Sequence, residues 1–214
     1  RRRQAAAAGW SLCAPARQQA RCDNGRQARI SAEGRKVQAY QAETAQAYPH
    51  QVRDLIVIMG VAGSGKTSIA EALSAATGWP FMEADEYHSA ANKQKMASGT
   101  PLTDTDREDW VRDMCRASAD MRAEHVVLAC SALTSFVQNG LKAQSGRRCR
   151  FVLLDVPKEE LARRISARAD HFMPVSLLDS QLEALQLPED VLRVDGTASP
   201  EDLVAAIQER LAQG

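Results

Sequence analysis

The feature that most constrains this chain is a short apolar run, Leu55-Ile56-Val57-Ile58-Met59, that passes directly into Gly60-Val61-Ala62-Gly63-Ser64-Gly65-Lys66-Thr67. A run of that length and β-branched content is what a strand buried on both faces looks like. The eight residues after it satisfy G-x-x-x-x-G-K-[ST] in the strand-loop-helix context that gives the pattern its meaning. Glycines let the backbone take positive φ and approach phosphate oxygens closely, while successive N–H groups and the following helix N-terminus supply a concave positive field. Lys66 is expected to reach the β- and γ-phosphates, and the Thr67 hydroxyl to bind Mg²⁺. A glycine-rich turn that only joined a strand to a helix would not need the Lys-Thr pair. Gly60, Val61, Ala62, Gly63, Ser64, Gly65, Lys66 and Thr67 are therefore read as nucleotide-binding residues, with ATP and Mg²⁺ as cofactors. ATP is preferred to GTP because no N-K-x-D pattern follows.

From Leu55 onward, short apolar runs alternate with amphipathic stretches, which is the pattern of an α/β fold with a parallel sheet covered by helices on both faces. Strands are expected at Leu55 to Met59, Pro80 to Glu83, His125 to Cys130, Arg150 to Asp155 and Val191 to Val194. Helices are expected near 66 to 76, 107 to 122, 134 to 144, 158 to 168, 176 to 185 and 200 to 212. The 214 residues, 44% hydrophobic and 25% charged, suit one catalytic domain. That domain is placed at residues 55 to 214.

Residues 1 to 54 read differently, with ten basic and four acidic side chains and no sustained periodicity. They are expected to be a disordered basic leader, either non-native upstream sequence or a transit segment. Over the whole chain, Lys plus Arg and Asp plus Glu both total 27, which gives no charge argument for a nucleic-acid or membrane partner. Cys13, Cys22, Cys115, Cys130 and Cys149 are scattered and form no C-x-x-C pair, so neither a disulfide framework nor a zinc site is indicated. The longest apolar run, Leu55 to Ala62, falls far short of the roughly 20 residues that span a bilayer. A cytoplasmic protein is the expectation, with organelle targeting by the leader left open.

The second strand leads into Glu83-Ala84-Asp85-Glu86-Tyr87-His88. Open α/β sheets place ligands at the C-terminal ends of their strands, so Asp85 is expected to face the phosphate loop. A kinase acting on an alcohol needs a carboxylate that orients the hydroxyl and takes its proton. The third strand ends in Ala129-Cys130-Ser131 without an acid, which leaves Asp85 as expected base and outer-shell magnesium ligand. Glu86 is read as a solvated charge. His88, placed beside Asp85, is read as a substrate contact.

These segments together resemble the gluconokinases, small kinases related in fold to shikimate and adenylate kinases. The resemblance runs from about Leu55 to Ala212. Besides the phosphate loop and the Glu83 to His88 segment it rests on Asn92-Lys93-Gln94-Lys95-Met96-Ala97-Ser98-Gly99 and on Pro101-Leu102-Thr103-Asp104-Thr105-Asp106-Arg107 with Trp110. It continues through Cys130-Ser131-Ala132-Leu133, His171-Phe172-Met173-Pro174 and Ser176-Leu177-Leu178-Asp179-Ser180-Gln181. It implies a P-loop NTPase fold with five parallel strands in the order 2-3-1-4-5, a small lid, and commonly a homodimer. It also implies transfer of the ATP γ-phosphoryl group to the 6-hydroxyl of D-gluconate. The alternatives are a kinase for another sugar acid or shikimate-like acid, or a weakened nucleotide-binding homologue.

A sugar-acid site needs cationic or N–H donors and many polar partners, for which His88, Asn92, Lys95, Arg107 and Ser131 are the candidates. Arg164 and Arg168 precede the lid, and one of them is expected to stabilise charge on the transferring phosphoryl group. Arg163 is read as a solvated partner of Glu159 or Glu160. Two departures from the family pattern stand out. Thr134-Ser135-Phe136-Val137-Gln138 replaces a basic residue followed by an aromatic-Arg-Asp triplet, and Arg168-Ala169-Asp170-His171-Phe172 replaces Arg-Lys-Gly-His-Phe.

Overall fold

In a computed structural model the described residues are 52–167 and 176–213. Residues 1–51, with the expected leader, and 168–175, with the expected lid contacts Arg168 and His171-Phe172, lie outside them. Val52–Gly214 forms one compact unit.

Its strands are β1 (Asp54–Met59), β2 (Phe81–Glu83), β3 (His125–Ala129), β4 (Arg148–Asp155) and β5 (Leu192–Asp195). They form one sheet in the order β2-β3-β1-β4-β5, and all four pairings are parallel. The helices are α1 (Lys66–Thr77), α2 (Ala90–Ala97), α3 (Asp104–Asp120), α4 (Ser135–Gln144), α5 (Lys158–Ser166), α6 (Ser176–Ala184) and α7 (Pro200–Ala212), with a 3-10 turn at Ala84–Tyr87.

Alternate residues of β1 serve opposite faces, as the two-residue period of a strand requires. Leu55, Val57 and Met59 join Trp110, Val111 and Met114 of α3 and Val137 and Leu141 of α4. Ile56 and Ile58 join Ile69 and Leu73 of α1 and Leu203, Val204 and Ile207 of α7. All six β1 residues are buried, which is why the run carries no polar alternation. A third cluster, Val61, Val156, Leu161, Ile165 and Leu178, lies under the phosphate loop and packs α5 and α6 against it.

Several element boundaries differ from the sequence expectations. Helix α3 starts at Asp104 and not near 107, because Thr103 is its N-cap and exchanges hydrogen bonds with Asp106 in a capping box. Helix α2 was not anticipated. Its apolar content is low, and it is set by the Ser89 side chain, which accepts from Asn92 N, and by the buried Asn92. Strand β4 starts two residues early, at Arg148, where that side chain pairs with buried Asp54 at 2.8 Å. At the other end of α3 no glycine closes the helix. Buried Arg147 donates there to the carbonyls of Ser118, Met121, Ala123 and Glu124, satisfying acceptors that a helix end leaves open. No helix among the described residues is long and apolar enough to cross a membrane.

Candidate active site

The phosphate loop leaves β1 between the neighbouring strands β3 and β4, and its glycines have separate causes. Gly60, Gly63 and Gly65 take φ of 147°, 80° and 93°, a region open to glycine at little cost. A Cβ on Gly63 would also lie 2.9 Å from Cγ1 of Ile165, so α5 leans directly on the loop. Gly65 is the N-cap of α1 and makes no side-chain capping bond, which leaves the N–H groups of the first turn open to an anion. Lys66 Nζ donates to Val61 O at 3.1 Å, and Ala62 N donates to Gln181 Oε1 of α6 at 2.7 Å. Gly60 N donates to Ser131 O at 3.4 Å, joining the loop to the end of β3.

Opposite the loop stands an acid that sequence reasoning did not single out. Glu83, the last residue of β2, accepts from the Thr67 hydroxyl at 2.7 Å. Burial pushes its carboxyl above the ordinary carboxylate value, with Asp85 reinforcing the rise, while the Thr67 hydrogen bond opposes it. Two hard oxygen donors in contact at the phosphate end of the sheet fit Mg²⁺, which takes few protein oxygens and keeps phosphate and water ligands. The available signal for Glu83 was its place at a strand C-terminus, two residues before Asp85.

Asp85 lies on the 3-10 turn with its side chain 85% exposed, a carboxylate that can meet a dissolved acceptor. His88 Nε2 is 4.0 Å from Asp85 Oδ1, and the imidazole is stacked on Trp110 with ring centroids 4.4 Å apart at 8°. Trp110 in turn donates Nε1–H to Ala84 O at 2.7 Å, so one indole fixes both the backbone before Asp85 and the ring after it. Burial drives His88 below the usual imidazole value, Asp85 opposes this, and its buried Nδ1 meets no partner among the described residues. Beneath the site, burial pushes the Cys130 thiol up to about 12, so it behaves as a small apolar group.

The other expected contacts divide. Ser131 sits in the loop after β3 and touches the phosphate loop through its carbonyl. Asn92 is buried and donates Nδ2–H to Asp106 O at 2.6 Å, and Lys95 Nζ pairs with Asp106 Oδ2 at 2.6 Å. Arg107 pairs with Asp104 at 2.9 Å. Asn92 and Lys95 thus tie α2 to α3, and the Lys95 bond holds the Asp106 carboxyl well below its usual range. Arg164 of α5 donates to Ser64 O of the phosphate loop at 3.4 Å and to Gly196 O at 3.1 Å, and pairs with Glu160 at 2.7 Å. Arg163, largely exposed, pairs with the same Glu160. The two arginines hold Glu160 down to about 2.

The Thr134 to Gln138 departure is accommodated by amides. Buried Gln138 donates to Ala132 O at 2.8 Å and to Gln186 O at 2.7 Å, and Gln186 Oε1 accepts from Ser135 N at 2.7 Å. These bonds hold a loop in which Ala132, without a glycine's freedom, sits at φ 43°. Trp110, Gln181 and Gln186 owe their roles to contacts across distant chain segments and gave no separate local signal.

Known proteins share this arrangement. Residues 55–188 match the family model described as an AAA domain. A gluconokinase of Gluconobacter oxydans is 41% identical over 156 residues, covering 68% of this chain and 84% of that protein. The thermosensitive gluconokinase of Escherichia coli is 38% identical over 145 residues, covering 65% and 77%. The crystal structure of a gluconokinase from Sinorhizobium meliloti superposes with a TM-score of 0.66 at 40% identity, covering 75% of this chain and 94% of that one. With this parallel sheet order, a phosphate loop at its centre and that degree of identity over most of the relatives' length, the chain belongs to the gluconokinase family.

Proposed function

We propose that the protein transfers the γ-phosphoryl group of ATP to the 6-hydroxyl of D-gluconate, giving 6-phospho-D-gluconate and ADP. The observation that carries this reading is the meeting of Glu83, at the end of β2, with Thr67, at the start of α1, at 2.7 Å. The exposed Asp85 follows two residues on, which supports its assignment to the phosphate end of the sheet. In this scheme the N–H groups of Gly63, Gly65, Lys66 and Thr67 receive the phosphates, and the Lys66 ammonium, whose three N–H donors let it keep Val61 O, reaches the β- and γ-oxygens. Thr67 and Glu83 would hold Mg²⁺, with Asp85 nearby, and the ion would supply charge neutralisation at the phosphate oxygens.

Asp85 orients the acceptor hydroxyl and takes its proton as the new O–P bond forms and the bond from the γ-phosphorus to the β,γ-bridging oxygen breaks, the electron pair leaving with ADP. His88, buried and biased toward the neutral form, is assigned to the acceptor's hydroxyl groups. Ser131 and Arg107 are assigned to the polyol and its carboxylate, whereas Asn92 and Lys95 serve by fixing α2 on α3. Arg164, hydrogen-bonded to the loop at Ser64 O, is the phosphoryl-stabilising arginine within the described residues, and Arg168 remains assigned to the lid. Residues 55 to 214 form the catalytic domain in this proposal, acting as a cytoplasmic homodimer.

The deciding experiment is an acceptor panel with ATP and Mg²⁺, following ADP release. Gluconate is expected to rank first among sugar acids, shikimate and nucleotides. A different acceptor ranking above it would replace the substrate, and ATP binding with no turnover on any acceptor would reject the kinase reading.

A further inference from the structure

One peptide group of the phosphate loop is held from both sides. The carbonyl of the Val61–Ala62 peptide accepts from Lys66 Nζ at 3.1 Å, and the N–H of the same peptide donates to Gln181 Oε1 at 2.7 Å. Lys66 lies five residues from Val61 in sequence, whereas 119 residues separate Ala62 from Gln181. A peptide plane is rigid, so fixing its N–H fixes the direction of its carbonyl. Donation to Gln181 also polarises the amide, which strengthens its oxygen as an acceptor for the Lys66 ammonium. The platform beneath is apolar and packed, since Leu178 of α6 is 1% exposed in the cluster with Val61, Leu161 and Ile165. A second anchor, Lys158 with Asp179 at 2.6 Å, ties α5 to α6.

We propose that Gln181 is a positioning residue for Lys66: through the Val61–Ala62 peptide it sets where the ammonium rests and therefore how it meets the β- and γ-phosphates. Gln181 does not itself touch the reacting atoms. Its effect follows the phosphates Lys66 serves, so it is felt by ADP and ATP and not by AMP. The inference rests on the nucleotide reading of the loop and is independent of which acceptor is phosphorylated.

The test is Gln181→Met, which keeps the side chain's length and apolar stem but removes the acceptor oxygen. Dissociation constants for ADP with Mg²⁺ are measured by calorimetry, and that for AMP by competition, with no acceptor present. Loss of one partly buried hydrogen bond predicts about fivefold weaker ADP binding, with AMP changed less than about twofold. In turnover the KM for ATP rises while the KM for the acceptor stays at the wild-type value. Gln181→Glu, which keeps an acceptor oxygen, is expected to leave Lys66 better placed than Gln181→Met does and to recover part of the ADP affinity. Equal weakening of ADP and AMP would mark a merely structural contact and overturn the proposal, as would unchanged ADP binding in Gln181→Met. Because the dissociation constants need no acceptor, a failed acceptor panel leaves them intact.

Discussion

Glu83→Gln separates stability from activity in a way only a site residue does. The amide has nearly the shape of the carboxyl and retains an oxygen to accept from Thr67, so a neutral hydrogen bond of about 1 kcal/mol replaces a charged one. Burial, the largest influence on Glu83, penalises its ionised form, and the nearby Asp85 adds to that penalty. The neutral amide removes both costs. The variant is therefore expected to melt at the wild-type temperature or somewhat above it when no nucleotide is present. Mg²⁺-dependent turnover moves the opposite way, because a metal-orienting carboxylate is typically worth about 10- to 100-fold in metal affinity or activity. Differential scanning fluorimetry and a Mg²⁺ titration of ADP release on the same preparation read both quantities. Refutation would be a variant that turns over normally at wild-type Mg²⁺ concentrations, or one whose activity loss merely tracks a lower melting temperature.

Two further outcomes follow from other parts of the unit. Burial lowers the affinity of His88 for a proton below the ordinary value of 6.5, with Lys93 and Arg107 acting in the same sense and Asp85 against them. The unfolded chain then binds the extra proton first, so stability is complete above about pH 6.5 and declines as pH falls from there through the folded-state value. His88→Phe, which keeps a ring against Trp110, is expected to flatten that part of a melting-temperature profile, and an unchanged slope would show that His88 does not cause it. Arg147→Met takes the guanidinium from the carbonyls of Ser118 and Ala123, while Met121 O keeps Arg53 and Glu124 O keeps the Asp54 N–H, and it is expected to cost about 3 kcal/mol. That would read as roughly 10 °C in melting temperature, and a loss under about 2 °C in thermal denaturation would show that water replaces the guanidinium.

The chemistry that was legible in the sequence lies where local pattern and tertiary place coincide. The five buried apolar residues before Gly60 and the G-x-x-x-x-G-K-[ST] spacing each carry their meaning within a few residues, and the observed sheet follows the expected order. The parts that were not legible are those made by contacts between distant segments. Glu83 becomes a partner of Thr67 only because two strand ends converge across β3. Asn92 was expected among the substrate contacts, and nothing local announced its bond to Asp106 O, while helix α2 was hidden because its few apolar residues show no helical stripe. The glutamines at 138, 181 and 186 have no local signature, since an amide's role is decided entirely by the backbone it meets.

The central claim, an Asp85 side chain that takes the acceptor's proton opposite a loop that holds the nucleotide, is tested most directly by Asp85→Asn. Gluconate-dependent ADP release is measured beside the dissociation constant for an unreactive ATP analogue with Mg²⁺. The account predicts a fall in kcat of about 10²-fold or more, the usual worth of a positioned general base, with nucleotide affinity preserved. Wild-type turnover in that variant would contradict it.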